Sequence, residues 1–211
     1  MEVLIMINWI NLIVMIFSSL LMLYLYLKSV ELSALETKIG KKAYKKCGQY
    51  RMLASVAELI IVGNYVIYFF YPIEIPGIPQ TFPWEWGFSI LLAIAIVIPS
   101  GYIMVKGLLD AGKEAMIPQI DQELYQGIYT KLRHPQAVGE LPLWWCGALV
   151  LNSPFLALYS IIFIPIFFMM IRAEEKDLVI RFGKTYKTYM KNTGMIFPKF
   201  RQKKRSDEVK E

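Results

Sequence analysis

The fold is decided by residues 137–171, which read AVGELPLWWCGALVL, then NSP, then FLALYSIIFIPIFFMMI. Two mostly apolar segments, 137–151 and 155–171, are joined here by Asn152-Ser153-Pro154. These residue types favour turns, so the two segments are predicted to form an antiparallel helical hairpin. Such a hairpin would bring the polar residues on its two flanks together on one face of a membrane.

The rest of the chain is also apolar enough for a membrane protein. Apolar residues make up 56% of the 211 positions, which is above the share in ordinary soluble domains. The further apolar segments 3–27, 52–71 and 86–109 each have the roughly 20 residues that a membrane-spanning helix needs. The hairpin segments are shorter and would span about 22–26 Å. We therefore expect an all-α integral membrane protein with about five transmembrane helices, a C-terminal helical hairpin and a cytoplasmic helix after it.

The basic residues predict the orientation of these helices. All 23 lysines and arginines fall on one side of a five-span topology, in segments 28–51, 106–136 and 172–211. The segments on the other side, which have none, are 1–2, 72–85 and 152–154. The positive-inside rule then predicts an N-terminus outside and a cytoplasmic C-terminus. Attraction to anionic lipid accounts for the net charge of +6, so no nucleic-acid partner is expected.

The N-terminus, the cysteines and the single histidine narrow the class of protein further. The first apolar run has no basic residue before it and is too long for a signal peptide, so we expect it to remain as an anchor. Cys47 and Cys146 lie in different kinds of segment and predict no disulfide. His134 is the only histidine, which predicts no zinc site and no metal enzyme.

Two polar clusters flank the hairpin. Before it, Arg133 and His134 precede Pro135, a residue that suits the first turn of a helix. Backbone amides at such a helix start can bind an anion. After the hairpin come Arg172, which could extend to lipid phosphate or clamp a substrate carboxylate, and the pair Glu174-Glu175. Taken singly, the first cluster is more typical of a simple interfacial helix start, and the glutamate pair is more typical of a solvated acidic turn.

Taken in order, the motifs of this region resemble those of a known enzyme family. They are Gly127-Ile128-Tyr129, Arg133-His134-Pro135, the hairpin, Glu174-Glu175, Phe182-Gly183, Tyr186, Tyr189 and Thr193-Gly194-Met195-Ile196-Phe197-Pro198. The series resembles the isoprenylcysteine carboxyl methyltransferase family and, more loosely, the wider group that includes membrane phospholipid methyltransferases. The resemblance covers residues 121–200, whereas the first hundred residues match only in being membrane helices.

The resemblance implies an S-adenosylmethionine pocket on the cytoplasmic face and a lateral opening that admits a lipid-like acceptor. Carried over residue by residue, the implied cofactor-binding residues are Asp121, Gln122, Glu123, Leu124, Tyr129, His134, Pro135, Gln136, Ala137, Glu174 and Glu175. Ala137 stands where the family often has tyrosine. The family arginine that contacts the acceptor carboxylate corresponds to Arg172, unless the alignment places Met170 there.

The implied function is methyl transfer to a lipidic or lipid-modified acceptor, by family name the α-carboxylate of a prenylated cysteine. That acceptor is already nucleophilic, and Arg172 would position it. An acceptor with a proton to lose, such as a phospholipid amine or a lipid hydroxyl, needs a base. The candidate bases are Glu58 in the second span, Glu140 one turn into the fourth, and His134. Glu58 is more typical of a neutral, hydrogen-bonded structural group, and Glu140 could equally be an interfacial carboxylate with satisfied hydrogen bonds.

Two other functions and a division into three parts complete the expectations. A membrane reductase of the sterol reductase type shares a related C-terminal architecture, but the chain has no GxGxxG sequence for a nicotinamide dinucleotide. A transporter or non-enzymatic membrane subunit is disfavoured because intramembrane charge is sparse and no pair of interrupted helices occurs.

We expect residues 1–110 to form three spans with a basic loop, 111–200 the cofactor-binding part with the hairpin, and 201–211 a disordered tail.

Overall fold

The fold consists of helices, which confirms the predicted all-α class. The computed structural model describes residues 2–119 and 126–199. Within these ranges the chain forms α1 (Glu2–Ser29), α2 (Leu32–Ile39), α3 (Lys42–Phe70), α4 (Trp86–Ala111), α5 (Pro135–Val150), α6 (Pro154–Tyr159) and α7 (Phe163–Asn192). Short 3₁₀ helices cover Gly112–Ala115, Gly127–Thr130 and Ser160–Ile162. The tail predicted to be disordered, 201–211, lies outside the described residues.

Several of these helices are long and apolar enough to cross a membrane, as in a multi-pass membrane protein. The segments that meet this condition are Met6–Ser29, Lys42–Phe70, Trp86–Ala115 and Pro154–Asn192. The helix α5 has only 16 residues, and at 1.5 Å per residue it is about 24 Å long. Four of the about five predicted spans correspond to these long segments, and the remaining one corresponds to the short helix α5, which is not among them.

The predicted hairpin is present, and its turn follows the residues that suggested it. Asn152 adopts a positive φ of 50° after the end of α5, a conformation that asparagine tolerates better than most residues. Ser153 caps the next helix, because its Oγ accepts a hydrogen bond from Leu156 N over 3.2 Å. Pro154 occupies the first turn of α6, where a missing N–H costs nothing.

The second arm of the hairpin differs from the single span predicted for 155–171. It begins as α6, passes through the 3₁₀ helix Ser160–Ile162 and continues as α7. The helix α7 runs to Asn192, well beyond the apolar segment, with a kink at Gly183 where φ is 53°. Glu174 and Glu175 therefore lie in the middle of a helix and not in a turn.

Close packing fixes the position of α5 between its neighbours. The helix α4 packs along α5, and α1 packs along α3. A Cβ added to Gly139 would lie 2.5 Å from both Met104 N and Ser100 O of α4, and small residues let membrane helices approach this closely. On another face of α5, the Trp144 ring stacks on Phe163 with the ring centroids 4.0 Å apart. These contacts determine which side chains α5 presents to the interior.

Polar contacts show which segments share one end of the helix bundle. Asn8 Nδ2 donates to Pro72 O over 2.8 Å, and Trp86 Nε1 donates to Val150 O over 2.9 Å. These bonds join α1 to the 72–85 loop and the start of α4 to the end of α5. The bonded residues lie in or near the three segments without lysine or arginine that the sequence placed on one side, 1–2, 72–85 and 152–154.

The basic segments meet at the opposite end of the bundle. Ser33 N donates to Asp177 Oδ1 over 2.8 Å, which joins α2 to α7. Arg51 Nη1 donates to Ala115 O over 3.1 Å, which joins α3 to the segment after α4. The separation of charge that was read from the sequence is therefore reproduced in the packing.

Candidate functional site

A cavity of about 500 Å³ lies between α1, α3, α4, α5 and α7, a volume within the usual range of small-molecule sites. Its lining changes from polar to apolar in the same direction along three helices. The lining residues that show this, in order, are Arg51, Glu58 and Val62 of α3, Gln136, Glu140 and Trp144 of α5, and Glu174, Met170 and Phe167 of α7. The polar end of the cavity therefore lies at the basic end of the bundle, and the apolar end lies deeper between the helices.

His134 joins the two polar clusters that flank the hairpin. Its Nδ1 lies 3.4 Å from Glu174 Oε2, and its Nε2 lies 3.2 Å from Glu175 Oε1. Burial lowers the pKa of His134, but the hydrogen bonds and negative charges of Glu174 and Glu175 outweigh this effect and raise the pKa above its ordinary value. The imidazole is thus held between two carboxylates at the wall of the cavity.

The adjacent glutamates of α7 have different surroundings. Glu175 Oε1 accepts a hydrogen bond from Arg133 Nε over 2.7 Å, and these side chains are only 4% and 6% exposed. Arg133 Nη1 also donates to Thr193 O over 2.6 Å. Glu174 lines the cavity, whereas Glu175 does not. Of the two predicted cofactor contacts, only Glu174 faces the cavity, and Glu175 holds Arg133 and His134 in place from behind.

The segment after α7 fixes the backbone of this wall. Arg133 N donates to Gly194 O over 2.9 Å, and His134 N donates to Met195 O over 3.3 Å. A Cβ at Gly194 would collide with the carbonyl oxygen of Phe197, so this tight turn requires glycine. The motif Thr193-Gly194-Met195-Ile196-Phe197-Pro198 therefore serves to position His134.

Tyr129 and Gln136 form a second polar part of the lining. Gln136 Nε2 donates to the Tyr129 hydroxyl over 3.0 Å, and that hydroxyl donates to Gly107 O over 3.3 Å. The Tyr189 hydroxyl donates to Tyr129 O over 2.6 Å. Burial raises the pKa of the Tyr129 phenol, so this group stays a protonated hydroxyl. The structure thus brings both predicted residues to the same cavity as His134.

The two acidic residues predicted inside the membrane meet in the cavity. Glu58 of α3 and Glu140 of α5 both line it, and a side-chain hydrogen bond joins their carboxyl groups. Glu58 lies seven residues beyond Arg51 in the sequence, which is about 10 Å farther along the helix. Sequence reasoning singled out each residue but missed the pair, because no spacing rule links residues of two separate helices.

Arg172 does not reach the cavity, which corrects its predicted position as a clamp for an acceptor carboxylate. Its side chain is exposed, and its guanidinium lies over the Phe168 ring, 5.1 Å from the ring centroid. The lining residues of this helix include Met170 and Glu174, which lie two positions before and two positions after Arg172. Successive residues of a helix point about 100° apart, so position 172 faces away from both. Met170, the alternative in the alignment, is the residue that forms the wall.

The remaining predicted cofactor residues divide into three groups. Ala137 lines the cavity. Pro135 is buried at the first turn of α5 and does not line it. Asp121, Gln122, Glu123 and Leu124 lie outside the described residues.

Tyr26 and Arg51 also line the cavity, and sequence reasoning missed both. The Arg51 guanidinium lies over the Tyr26 ring, 5.6 Å from the centroid, and its Nη1 also donates to Glu114 O over 3.2 Å. The Tyr26 hydroxyl donates to Glu174 Oε2 over 3.5 Å. Neither residue has a distinguishing sequence signal, because basic and aromatic residues are common near the ends of membrane spans.

Comparison with known proteins identifies the region that forms most of this site. The family model described as phospholipid methyltransferase matches residues 88–185. A methanethiol S-methyltransferase of Pseudomonas deceptionensis is 35% identical over 118 residues, which are 56% of this chain and 43% of the relative. A methanethiol S-methyltransferase of Pseudomonas sp. (strain GM41(2012)) is 31% identical over 119 residues, or 56% of this chain and 44% of the relative. The match thus spans less than half the length of these relatives.

These comparisons bear out the predicted resemblance at the level of the wider group, and both relatives carry the name of the predicted enzyme class, a methyltransferase. The family match begins in α4 and ends in α7, so it crosses the predicted boundary at residue 110. The division into three parts stays a prediction. Residues 88–185 of this chain are therefore similar to the phospholipid methyltransferase family.

Proposed function

We propose that the chain is an S-adenosylmethionine-dependent methyltransferase that methylates a small thiol bound at the apolar end of its cavity. The observation that carries this proposal is the change from a polar to an apolar lining within one cavity. The lining runs from His134 and Glu174 at the polar end to Trp144 and Phe167 at the apolar end. A charged, soluble methyl donor and an apolar acceptor need such a pair of neighbouring environments. The family match and the names of both relatives support the reaction class.

The polar end fits the functional groups of S-adenosylmethionine. Glu174 offers a carboxylate for a cationic group or for sugar hydroxyls, and Tyr129 and Gln136 offer neutral polar groups. Arg51 Nε is buried and has no hydrogen-bond partner among the described residues, so it is available to a ligand carboxylate. When bound, this cofactor supplies an electrophilic methyl group on a positively charged sulfur.

The chain's own contribution is alignment and exclusion of water. Methyl transfer is a single displacement, so holding the reactants in line provides much of the acceleration. Phe167, Met170 and Trp144 line the deeper part of the cavity with apolar surface. A dry site of this kind strengthens each electrostatic contact that is made within it.

The lining favours a thiol over the carboxylate acceptor that the resemblance suggested. Both relatives are named for a small thiol, and such a molecule suits an apolar pocket. A carboxylate would need a cation, but Arg172 lies outside the cavity. Among the described lining residues, the arginines are Arg51 and Arg133, which belong to the polar end. The prenylated cysteine remains the second candidate acceptor, on the resemblance alone.

We also propose that the polar end of the cavity faces the cytoplasm, with the N-terminus outside. The basic segments share this end of the bundle, and the segments without lysine or arginine share the other. The positive-inside rule assigns the basic end to the cytoplasm. A soluble methyl donor would enter there, whereas an apolar acceptor would enter from the membrane.

Calorimetric titration of the purified protein with S-adenosylmethionine tests the cofactor part of the proposal. We expect binding by the wild type, and an affinity at least tenfold lower in Glu174→Gln, since hydrogen bonds to charged groups contribute about 1.5–3 kcal/mol. Glu74→Gln is the matched control, because Glu74 is exposed in the 72–85 loop. Absence of binding by the wild type would overturn the proposal.

Methylation assays then test the acceptor. Mass spectrometry should detect methylated ethanethiol and no methylation of a farnesylated cysteine. The reverse result would replace the thiol with the acceptor of the second candidate function.

A further inference from the structure

Glu58 and Glu140 form an acidic pair in the middle of the cavity, between its polar and apolar ends. They come from α3 and α5, and their carboxyl groups are hydrogen-bonded to each other. In the part of the chain that the structure describes, neither forms an ion pair with lysine, arginine or histidine. An ionised carboxylate only accepts hydrogen bonds, so a bond between two carboxyl groups requires a proton on one of them. The pair therefore holds at least one proton, and in its singly protonated form the other carboxylate can accept a proton.

Trp144 supplies an independent indication of a ligand beside this pair. It lies four residues after Glu140 on the same helix, so the two residues occupy one face. Trp144 is 6% exposed, lines the cavity and has a buried Nε1 without a hydrogen-bond partner. Its ring is held by stacking on Phe163. A buried indole N–H usually finds an acceptor, and here the space next to it is the cavity.

We propose that the Glu58–Glu140 pair takes the proton from a thiol acceptor that binds beside Trp144. This inference rests on the proposed function and adds the chemical step that a thiol acceptor requires. A thiol is a poor nucleophile until it loses its proton, since the reactive form is the thiolate. The ionised member of the pair is a base within the same cavity as the acceptor, and the sulfur can accept the indole N–H of Trp144.

The step balances in atoms and charge. The S–H bond breaks, its proton moves to the ionised carboxylate oxygen, and the sulfur keeps the electron pair. That electron pair forms the new bond to the methyl carbon. The bond between this carbon and the sulfonium sulfur breaks at the same time, and its electrons stay on the departing sulfur. The products are two neutral thioethers, and both carboxyl groups are then protonated. Release of one proton to water restores the pair for the next cycle.

The same charge explains which acceptors the site excludes. A carboxylate acceptor would bring a second negative charge next to Glu58 and Glu140, and like charges in an apolar cavity repel strongly. A carboxylate acceptor also has no proton to lose, so it would not need the pair as a base. A neutral thiol avoids the repulsion and uses the base.

Rates with two thiols of different acidity test the proton transfer. We expect the double variant E58Q/E140Q to methylate ethanethiol at least a hundredfold more slowly, the usual size of a general-base contribution. The loss should be much smaller with trifluoroethanethiol, which is more acidic and supplies more thiolate without help. Glu74→Gln, the exposed control, should match the wild type with both thiols. Equal losses with the two thiols in the double variant would overturn the proposal.

Infrared spectroscopy of the ligand-free protein provides a readout that needs no turnover. We expect the wild type and Glu74→Gln to show the carbonyl absorption of a protonated carboxyl group at neutral pH. The double variant should lose this absorption, and the single variant Glu58→Gln should shift it. An identical absorption in the wild type and the double variant would show that the pair holds no proton and would overturn the inference.

Binding of S-adenosylmethionine separates this inference from the proposed function. The double variant should bind the cofactor with the affinity of the wild type, because Glu174 and Tyr129 are unchanged. If the wild type binds no cofactor, the proposed function fails and the inference fails with it. If both proteins bind it and the loss of rate does not depend on thiol acidity, only the role of the pair is wrong.

Discussion

Arg133 Nε donates to Glu175 Oε1 over 2.7 Å, and both side chains are almost completely buried. Removing one partner of a buried ion pair is costly, because the remaining charge stays out of water without compensation. In this protein the pair also sets the position of His134, whose Nε2 lies 3.2 Å from the same carboxylate oxygen. Glu175 thus supports the wall of the cavity without lining it.

The first prediction is that Glu175→Ala lowers the free energy of unfolding by about 3–5 kcal/mol, as expected for a buried charge left unpaired. Thermal unfolding in detergent measures this change. Glu31→Ala is the matched control, because Glu31 pairs with Lys28 over 2.9 Å at the surface, where such pairs contribute about 1 kcal/mol or less. Equal stability of the two variants would show that the buried pair is not needed.

A second prediction concerns the pH dependence of stability. The ordinary pKa of histidine is near 6.5 in unfolded chains. Contacts with Glu174 and Glu175 raise the pKa of His134 above this value, despite its burial. Protonation therefore stabilises the folded state. This stabilisation is complete below about pH 6.5 and is lost as the pH rises through the higher pKa of the folded protein.

Unfolding of the wild type and of His134→Gln over a range of pH measures this effect. The stability advantage of the wild type should shrink as the pH rises above about 6.5, which is the ordinary histidine value. Arg133, which is next to His134 and also contacts Glu175, is the same in both proteins. A difference between the two proteins that does not change with pH would contradict the raised pKa.

The helices and the polar wall follow from sequence patterns for a physical reason. Apolar segments of membrane length, a turn at Asn152-Ser153-Pro154 and a helix start at Pro135 are local features. A hairpin built from them brings His134 to Glu174 and Glu175 without further information. The rotation of α7 is different, because it depends on packing. Which of two adjacent glutamates faces the cavity, and where Arg172 points, follow from that rotation and were not predictable.

Apart from Glu58, which the sequence offered as a candidate base, the contribution of the N-terminal half was also beyond the sequence. Tyr26, Arg51 and Glu58 line the cavity from α1 and α3. Their partners, such as Glu140 and Glu174, are far away in the chain, and only the packing of whole helices brings them together. Hydrophobic periodicity describes one helix at a time, so it does not show which residues of two helices meet.

A third prediction uses two glycines of α5. Gly139→Ala should strongly reduce the yield of folded protein, because its Cβ would lie 2.5 Å from backbone atoms of Met104 and Ser100 that cannot move aside. Gly147→Ala should be neutral or slightly stabilising, since its nearest neighbour would be Tyr65 Cδ1 at 3.6 Å and alanine favours a helix over glycine. Gel filtration of the detergent-solubilised protein measures the folded fraction. Normal yield of Gly139→Ala would show that α4 and α5 can separate.

The fourth prediction tests the corrected position of Arg172. Arg172→Ala should leave cofactor affinity and the KM for ethanethiol unchanged within about twofold, because surface substitutions away from a site alter free energies by about 0.5 kcal/mol or less. The side chain is exposed and its guanidinium lies over Phe168, on a face of α7 that does not line the cavity. Met170→Ala is the contrasting variant, since Met170 lines the apolar end, and it should raise the KM for the thiol. A large rise in KM for Arg172→Ala, with Met170→Ala unaffected, would mean that the acceptor binds on the outer face of α7, as the carboxylate clamp requires.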